Sequence, residues 1–113
     1  MRIIRDHLKV EELNVMAASM FGDMVKAVVD IDRELMAVDG ELHADLEALL
    51  LEDGSKQKHL WGINLYPGLD PDRFVEFDSM INMRPSQGNR SRGVESDAVR
   101  AKILKIVERR LVP

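Results

Sequence analysis

Apolar residues recur along the first half of the chain with two periods, one typical of helices and one typical of strands. In residues 10–21 they recur every three or four positions, which places them on one helical face. Residues 24–31 are rich in Val and Ile, and the apolar run 35–38 follows the polar link 32–34. With a short strand at Ile3 and Ile4, this order predicts a helix followed by a β-hairpin.

Residues 41–52 fit two patterns. Four leucines fall on one helical face, but the polar residues of the segment also alternate with apolar ones as in a strand: Glu41, His43, Asp45 and Glu47. The segment consists largely of Ala, Leu and Glu and has no β-branched residue, which favours the helix. If it is a strand instead, the sheet gains one member and the class of fold is unchanged.

The remaining apolar pattern predicts a second hairpin and a closing helix. Residues 60–66 and 74–83 alternate as strands, whereas residues 84–95 have no apolar period and are predicted to form a loop. Ser96 is a good N-cap for a helix that reaches about Arg110. The predicted fold is therefore α+β: a four-stranded, mostly antiparallel sheet of two hairpins, with three helices packed on one face.

Length and composition restrict the classes of protein that remain. A chain of 113 residues is predicted to be a single domain over residues 1–113. It has no cysteine, which excludes disulfides and thiolate metal sites. The beginning of the chain lacks the pattern of a secretory signal, and no apolar run approaches the ~20 residues of a membrane helix. We therefore expect a cytoplasmic protein with no membrane partner.

Charge is distributed unevenly, and this points to a candidate site. The formal net charge is −4, and acidic residues crowd positions 28–55 against Arg33 alone. Residues 84–92 contain three arginines and no acid. Because nearby charges dominate at short range, a local anion site is compatible with an acidic protein.

The predicted ligand-binding residues lie in this arginine-rich loop. Guanidinium groups match phosphate geometry, and neutral donors between them complete the set: Arg84, Ser86, Gln87, Asn89, Arg90 and Arg92. The loop also leads into a helix start, which favours anions. The first hypothesis is binding of a phosphorylated small molecule or nucleic acid. The alternative is that the arginines pair internally with the acidic segment 28–53. No named phosphate-binding motif is present.

Two further functions remain open. A small hydrolase or transferase could use His43 and Asp45, with the arginines as substrate clamps. A non-catalytic homo-oligomer is suggested by exposed sheet edges and by residues 24–31, which are apolar on nearly both faces. Trp61 is either a stacking platform beside the loop or a core anchor. We predict no metal and no cofactor, and the residues identify no catalytic group.

Several stretches of the chain resemble a known family. They are GELHAD at 40–45, LLLEDGSKQ at 49–57, LWGIN at 60–64 and INMRPSQGNRS at 81–91. These stretches are similar to a family of small prokaryotic proteins of unknown function, and the likeness extends over nearly the whole chain. The resemblance implies a stand-alone cytoplasmic protein of about this length, and it implies no catalytic residue.

Overall fold

The structure is a computed structural model that describes residues 1–113. In chain order its elements are β1 (Arg2–Ile4), β2 (Leu8–Lys9), α1 (Val10–Ser19), β3 (Val25–Asp30), β4 (Leu35–Val38), α2 (His43–Glu52), β5 (Leu60–Leu65), β6 (Val75–Glu76), α3 (Asp97–Arg110) and β7 (Leu111–Val112). The main sheet has the strand order β1-β4-β3-β5-β6, and all neighbouring strands are antiparallel. β2 and β7 form a separate parallel pair.

The α+β class is confirmed, but the prediction of four strands is wrong because the sheet has five. The additional member is β1, which pairs with β4 through Arg2 opposite Val38 and Ile4 opposite Met36. The short strand expected at Ile3 and Ile4 is therefore real, and it extends the first hairpin at one edge of the sheet.

The sheet is covered on both faces, which corrects the prediction that the helices share one face. Val25, Ala27 and Val29 of β3 belong to a large core that also contains residues of α1 and α3. On the opposite face, Val28 packs in a smaller core with Leu46 of α2. The continuous apolar character of β3 follows from this position, because a central strand buried on both faces needs no polar side.

The predicted strand at residues 74–83 is mostly absent. Only Val75–Glu76 pairs with β5, and the chain then enters a 3₁₀ turn at Met80–Asn82. The Asn82 side chain replaces a strand partner: its Oδ1 accepts from the Gly62 N–H at 2.8 Å and its Nδ2 donates to the Gly62 carbonyl at 2.9 Å. A Cβ atom on Gly62 would lie 2.5 Å from the Cβ of Ser79, so only glycine allows this close approach.

The helical prediction for residues 41–52 is confirmed, with α2 burying His43, Leu46 and Leu50 on one face. The closing helix α3 begins as predicted, where the Ser96 hydroxyl accepts from the Val99 N–H at 3.2 Å. The first helix ends at Ser19 rather than at residue 21. No helix of the structure combines the length and the apolar character needed to cross a membrane.

Candidate anion site

Arg84 is the one arginine of the loop that points inward. Its Nε donates to the Ile81 carbonyl at 3.0 Å and its Nη1 to the Gln57 carbonyl at 2.9 Å, and its Nη2 donates to the carbonyl of Leu60. The guanidinium also lies over the Trp61 ring, 4.4 Å from the ring centroid. Burial lowers the pKa of Arg84, and its donors are committed to these carbonyls and, at 3.4 Å, to the Gln87 side-chain oxygen. Arg84 therefore ties the loop to β5.

Trp61 belongs to the large core, and one face of its ring is covered by the Arg84 guanidinium. This arrangement makes Trp61 a core anchor that stacks on an arginine of its own chain. Its indole N–H is buried without a hydrogen-bonding partner.

Asn89 organises the loop from within. Its side-chain amide donates to the carbonyls of Asn82 at 2.7 Å, Gly93 at 2.8 Å and Ser91 at 3.1 Å. Its Oδ1 accepts from the Glu95 N–H at 2.9 Å. Asn89 is 4% exposed, so its polar atoms are enclosed by the loop and serve its shape.

An internal carboxylate already occupies two backbone donors of the loop. The Glu95 side chain accepts from the Arg90 N–H and from the Ser91 N–H, the latter at 3.0 Å. Ser86 and Gln87 lie exposed on the turn Pro85–Gln87. Arg90 is exposed and has no carboxylate within ion-pair distance of its side chain. The predicted residues are therefore not brought together around one ligand position.

Arg92 lies apart from the other predicted ligand residues and borders a cleft of about 200 Å³ at the start of α2. The cleft is lined by residues from β3, α2, the 3₁₀ turn and the loop: Lys26, Leu42, His43, Ala44, Ser79, Met80, Ile81 and Arg92. The Arg92 carbonyl accepts from the Ser79 N–H and from the Asn82 Nδ2, each at 2.9 Å, which fixes the backbone at this point. The loop thus contributes one arginine to a cleft built mainly by other elements.

The ion pairs of the loop are not those considered from the sequence. Arg92 Nε donates to Asp78 Oδ1 at 2.7 Å, and Asp78 lies outside the acidic segment 28–53. Within that segment, Asp53 pairs with Arg33 at 2.7 Å and with Arg5 at 2.5 Å. These two arginines lower the pKa of Asp53 through hydrogen bonds. No loop arginine forms an ion pair with segment 28–53, although the charge of Glu47 acts on Arg84.

His43 is 9% exposed, and one of its ring nitrogens is fixed by the backbone. Its Nε2 lies 2.8 Å from the Ile63 carbonyl oxygen. A carbonyl can only accept, so Nε2 carries the hydrogen and Nδ1 is the acceptor of the neutral ring. Nδ1 has no partner within the protein and is not among the buried unpaired atoms. Burial lowers the pKa of His43, and the ring is therefore neutral at pH 7.

Positive charge and an uncapped helix start surround this ring. Lys26 has no carboxylate within ion-pair distance, and its ammonium lies 5.2 Å from the centroid of the Phe21 ring. The N-cap of α2 is Leu42, which offers no side-chain acceptor to the first turn. The helix dipole therefore adds to the charges of Lys26 and Arg92 in favouring an anion.

The pair proposed for hydrolysis is not assembled. Asp45 is exposed, and two positions along a helix point in nearly opposite directions, so its carboxylate does not face the buried His43 ring. Asp78 is instead the carboxylate whose charge acts on His43, together with the cations Lys26 and Arg92. No group of three or more His, Asp or Glu side chains comes together in a way that could hold a metal ion.

Sequence reasoning missed Lys26 and Ser79. Lys26 is a charged residue inside an otherwise buried strand, and such an interruption is a signal for a lined cavity. Ser79 lies against Gly62, and no motif marks this contact. Lys26 comes from a strand distant in sequence from the loop, and only the folded sheet brings it to the cleft beside Arg92.

The chain matches the family described as "Protein of unknown function (DUF5674)" over residues 2–110. It therefore belongs to this family, which confirms the resemblance noted in its sequence. No curated protein and no solved structure matches it.

Proposed function

We propose that this member of the family binds a small phosphorylated molecule in the cleft at the start of α2. Lys26 and Arg92 bind its ionised oxygens, and the first turn of α2 supplies N–H donors. In this proposal the arginine-rich loop contributes Arg92 directly. Arg84 and Asn89 hold the loop in place, and Ser86, Gln87 and Arg90 remain outside the cleft.

The observation that carries the proposal is the meeting of Lys26 and Arg92 beside an uncapped helix start. Asp78 pairs with the Nε of Arg92, and no hydrogen bond within the protein uses the Nη groups of Arg92. Lys26 has no acidic partner at all. Two cations near a helix start attract an anion, and a guanidinium with free Nη groups can bind two of its oxygens.

The size of the cleft favours a small ligand over nucleic acid. Its volume of about 200 Å³ is below the ~300–1,000 Å³ of pockets that enclose drug-sized molecules. A phosphate group with a short substituent fits this space. A nucleic acid strand needs a longer cationic groove with aromatic platforms, and the face of Trp61 is already covered by Arg84.

Isothermal titration calorimetry with inorganic phosphate and a panel of sugar phosphates tests the proposal. Arg92→Gln and Lys26→Met should each weaken binding by about tenfold, because each removes one charge-assisted contact. Arg90→Gln is the matched control, since it removes the same charge from the same loop outside the cleft. An equal loss of phosphate affinity in Arg90→Gln and Arg92→Gln would contradict binding in the cleft. So would tight binding of short RNA that is lost in Arg90→Gln.

We propose self-association as a second candidate function, because an apolar groove of about 570 Å³ lies between α3 and residues 67–75. Leu69 and Leu104 border the groove and are 41% and 45% exposed. Apolar surface of this kind is suited to a second copy of the chain, and twofold pairing is the commonest arrangement.

Sedimentation equilibrium tests self-association. The protein should sediment at twice its 12.8 kDa mass, and Leu104→Glu should return it to one chain. Leu51→Glu alters an exposed leucine of α2 outside the groove and should leave the dimer intact. A single species at 12.8 kDa over a tenfold range of concentration would eliminate the dimer.

A further inference from the structure

The cleft contains a hydrogen-bond acceptor without a partner in the protein, beside the cations Lys26 and Arg92. Nδ1 of His43 has no partner in the protein, although the residue is 9% exposed and borders the cleft. Nδ1 is not among the fully buried unpaired atoms, so it is accessible and can accept a hydrogen bond from a ligand in the cleft. Neither Lys26 nor Arg92 donates to this atom.

Resting on the proposed anion site, we propose that His43 makes the cleft select anions that carry an O–H donor over fully ionised oxyanions. The ligand class is hydrogen phosphate, or an anionic group with a hydroxyl beside it. The ionised oxygens bind Lys26 and Arg92, and the O–H donates to Nδ1 of His43.

The selection follows from the fixed orientation of the ring. Nε2 lies 2.8 Å from the Ile63 carbonyl oxygen and donates its hydrogen to it. The neutral ring can therefore only accept at Nδ1. An anion without a hydrogen would place an oxygen lone pair against the nitrogen lone pair, which is repulsive. Rejection of the wrong ligand by an unfavourable polar contact is a general source of specificity.

Burial keeps the ring neutral at pH 7, and the charged groups around it act on its pKa in both directions. Burial is the largest cause of the lowered pKa of His43, and the cations Lys26 on β3 and Arg92 in the loop lower it further. Asp78, which precedes the 3₁₀ turn, and the hydrogen bond to Ile63 act in the opposite direction. A cationic ring would instead offer a hydrogen at Nδ1 and would accept any anion.

Inorganic phosphate and sulfate are the probes that distinguish an anion with an O–H donor from an anion without one. Both are tetrahedral oxyanions of similar size, but at pH 7 inorganic phosphate retains a hydrogen and sulfate has none. Isothermal titration at pH 7.5 should give an affinity for phosphate about tenfold higher than for sulfate, the factor expected for one hydrogen bond of about 1.4 kcal/mol.

His43→Gln is the decisive variant. The glutamine amide can still donate to the Ile63 carbonyl, but it has no ring nitrogen at the position of Nδ1. Phosphate affinity should fall to that of sulfate, and sulfate affinity should stay unchanged. Equal affinities in the wild type, or a phosphate preference that survives in His43→Gln, would overturn the role of His43. Absence of binding by either anion would overturn the cleft itself as well.

Discussion

Arg84 and Arg92 lie in the same loop, and their surroundings give them opposite roles. Arg84 is 6% exposed and donates to backbone carbonyls, whereas the Arg92 side chain is 54% exposed and borders the cleft. The sequence identifies both as candidate anion ligands because the residue type is the same. The carbonyls that accept from Arg84 include those of Gln57 and Leu60, which are far away in the chain. No local sequence pattern therefore predicts the buried role of Arg84.

Replacement of Arg84 by lysine should therefore destabilise the protein. A lysine cannot satisfy several carbonyls in the fixed fork of a guanidinium, and it stacks poorly on Trp61. We expect Arg84→Lys to lower the free energy of unfolding by about 2–4 kcal/mol in urea denaturation. Arg90→Lys, an exposed replacement of the same kind, should change it by less than about 0.5 kcal/mol. Equal small effects would show that the Arg84 contacts contribute little.

At the scale of elements, the sequence predicts regular segments well and irregular ones poorly. α2 is correctly predicted because its leucines and helix-forming residues agree. Residues 74–83 are misread as a strand because their apolar positions alternate as in a strand. In this segment, hydrogen bonds of the Ser79 and Asn82 side chains replace the backbone hydrogen bonds of a β-ladder. Such local hydrogen bonds leave no periodic pattern in the sequence.

Asn82 should be the most sensitive residue of this irregular segment. Asn82→Ala removes the partners of the Gly62 N–H and carbonyl and one partner of the Arg92 carbonyl. The buried peptide group of Gly62 is then unsatisfied, and we expect a loss of about 2–3 kcal/mol in the free energy of unfolding. Asn14→Ala, at an exposed position of α1, is the matched control and should be nearly neutral. A neutral Asn82→Ala would refute the view that a side chain replaces the strand here.

At the scale of the whole molecule, the sheet connects the fold to the site. The central position of β3 places Lys26 opposite Asn64 of β5 and toward the start of α2. The α+β class and most elements follow from the sequence, whereas the two-sided packing and the cleft depend on strand order. Strand order is decided by contacts between distant segments, so Lys26, His43 and Arg92 meet only in the folded chain.

The buried His43 should also make the stability of the whole molecule depend on pH. Its pKa in the folded protein is lowered from 6.5, mainly by burial. As the pH falls below 6.5, the unfolded chain binds a proton that the folded chain does not, so the free energy of unfolding decreases. Urea denaturation between pH 7.5 and pH 5.5 should show this decrease in the wild type and a smaller one in His43→Gln. Identical slopes would contradict the neutral buried ring.

The central claim is that an anion binds in the cleft at the start of α2, and a ¹H–¹⁵N NMR titration with inorganic phosphate tests it most directly. The account predicts saturable shifts that fit one dissociation constant at the amides of Lys26, Ala44, Ser79 and Arg92. The chemical shifts of the Gln87 and Arg90 amides should stay unchanged. Saturable shifts confined to Gln87 and Arg90, or no saturable shift at any amide, would contradict the account.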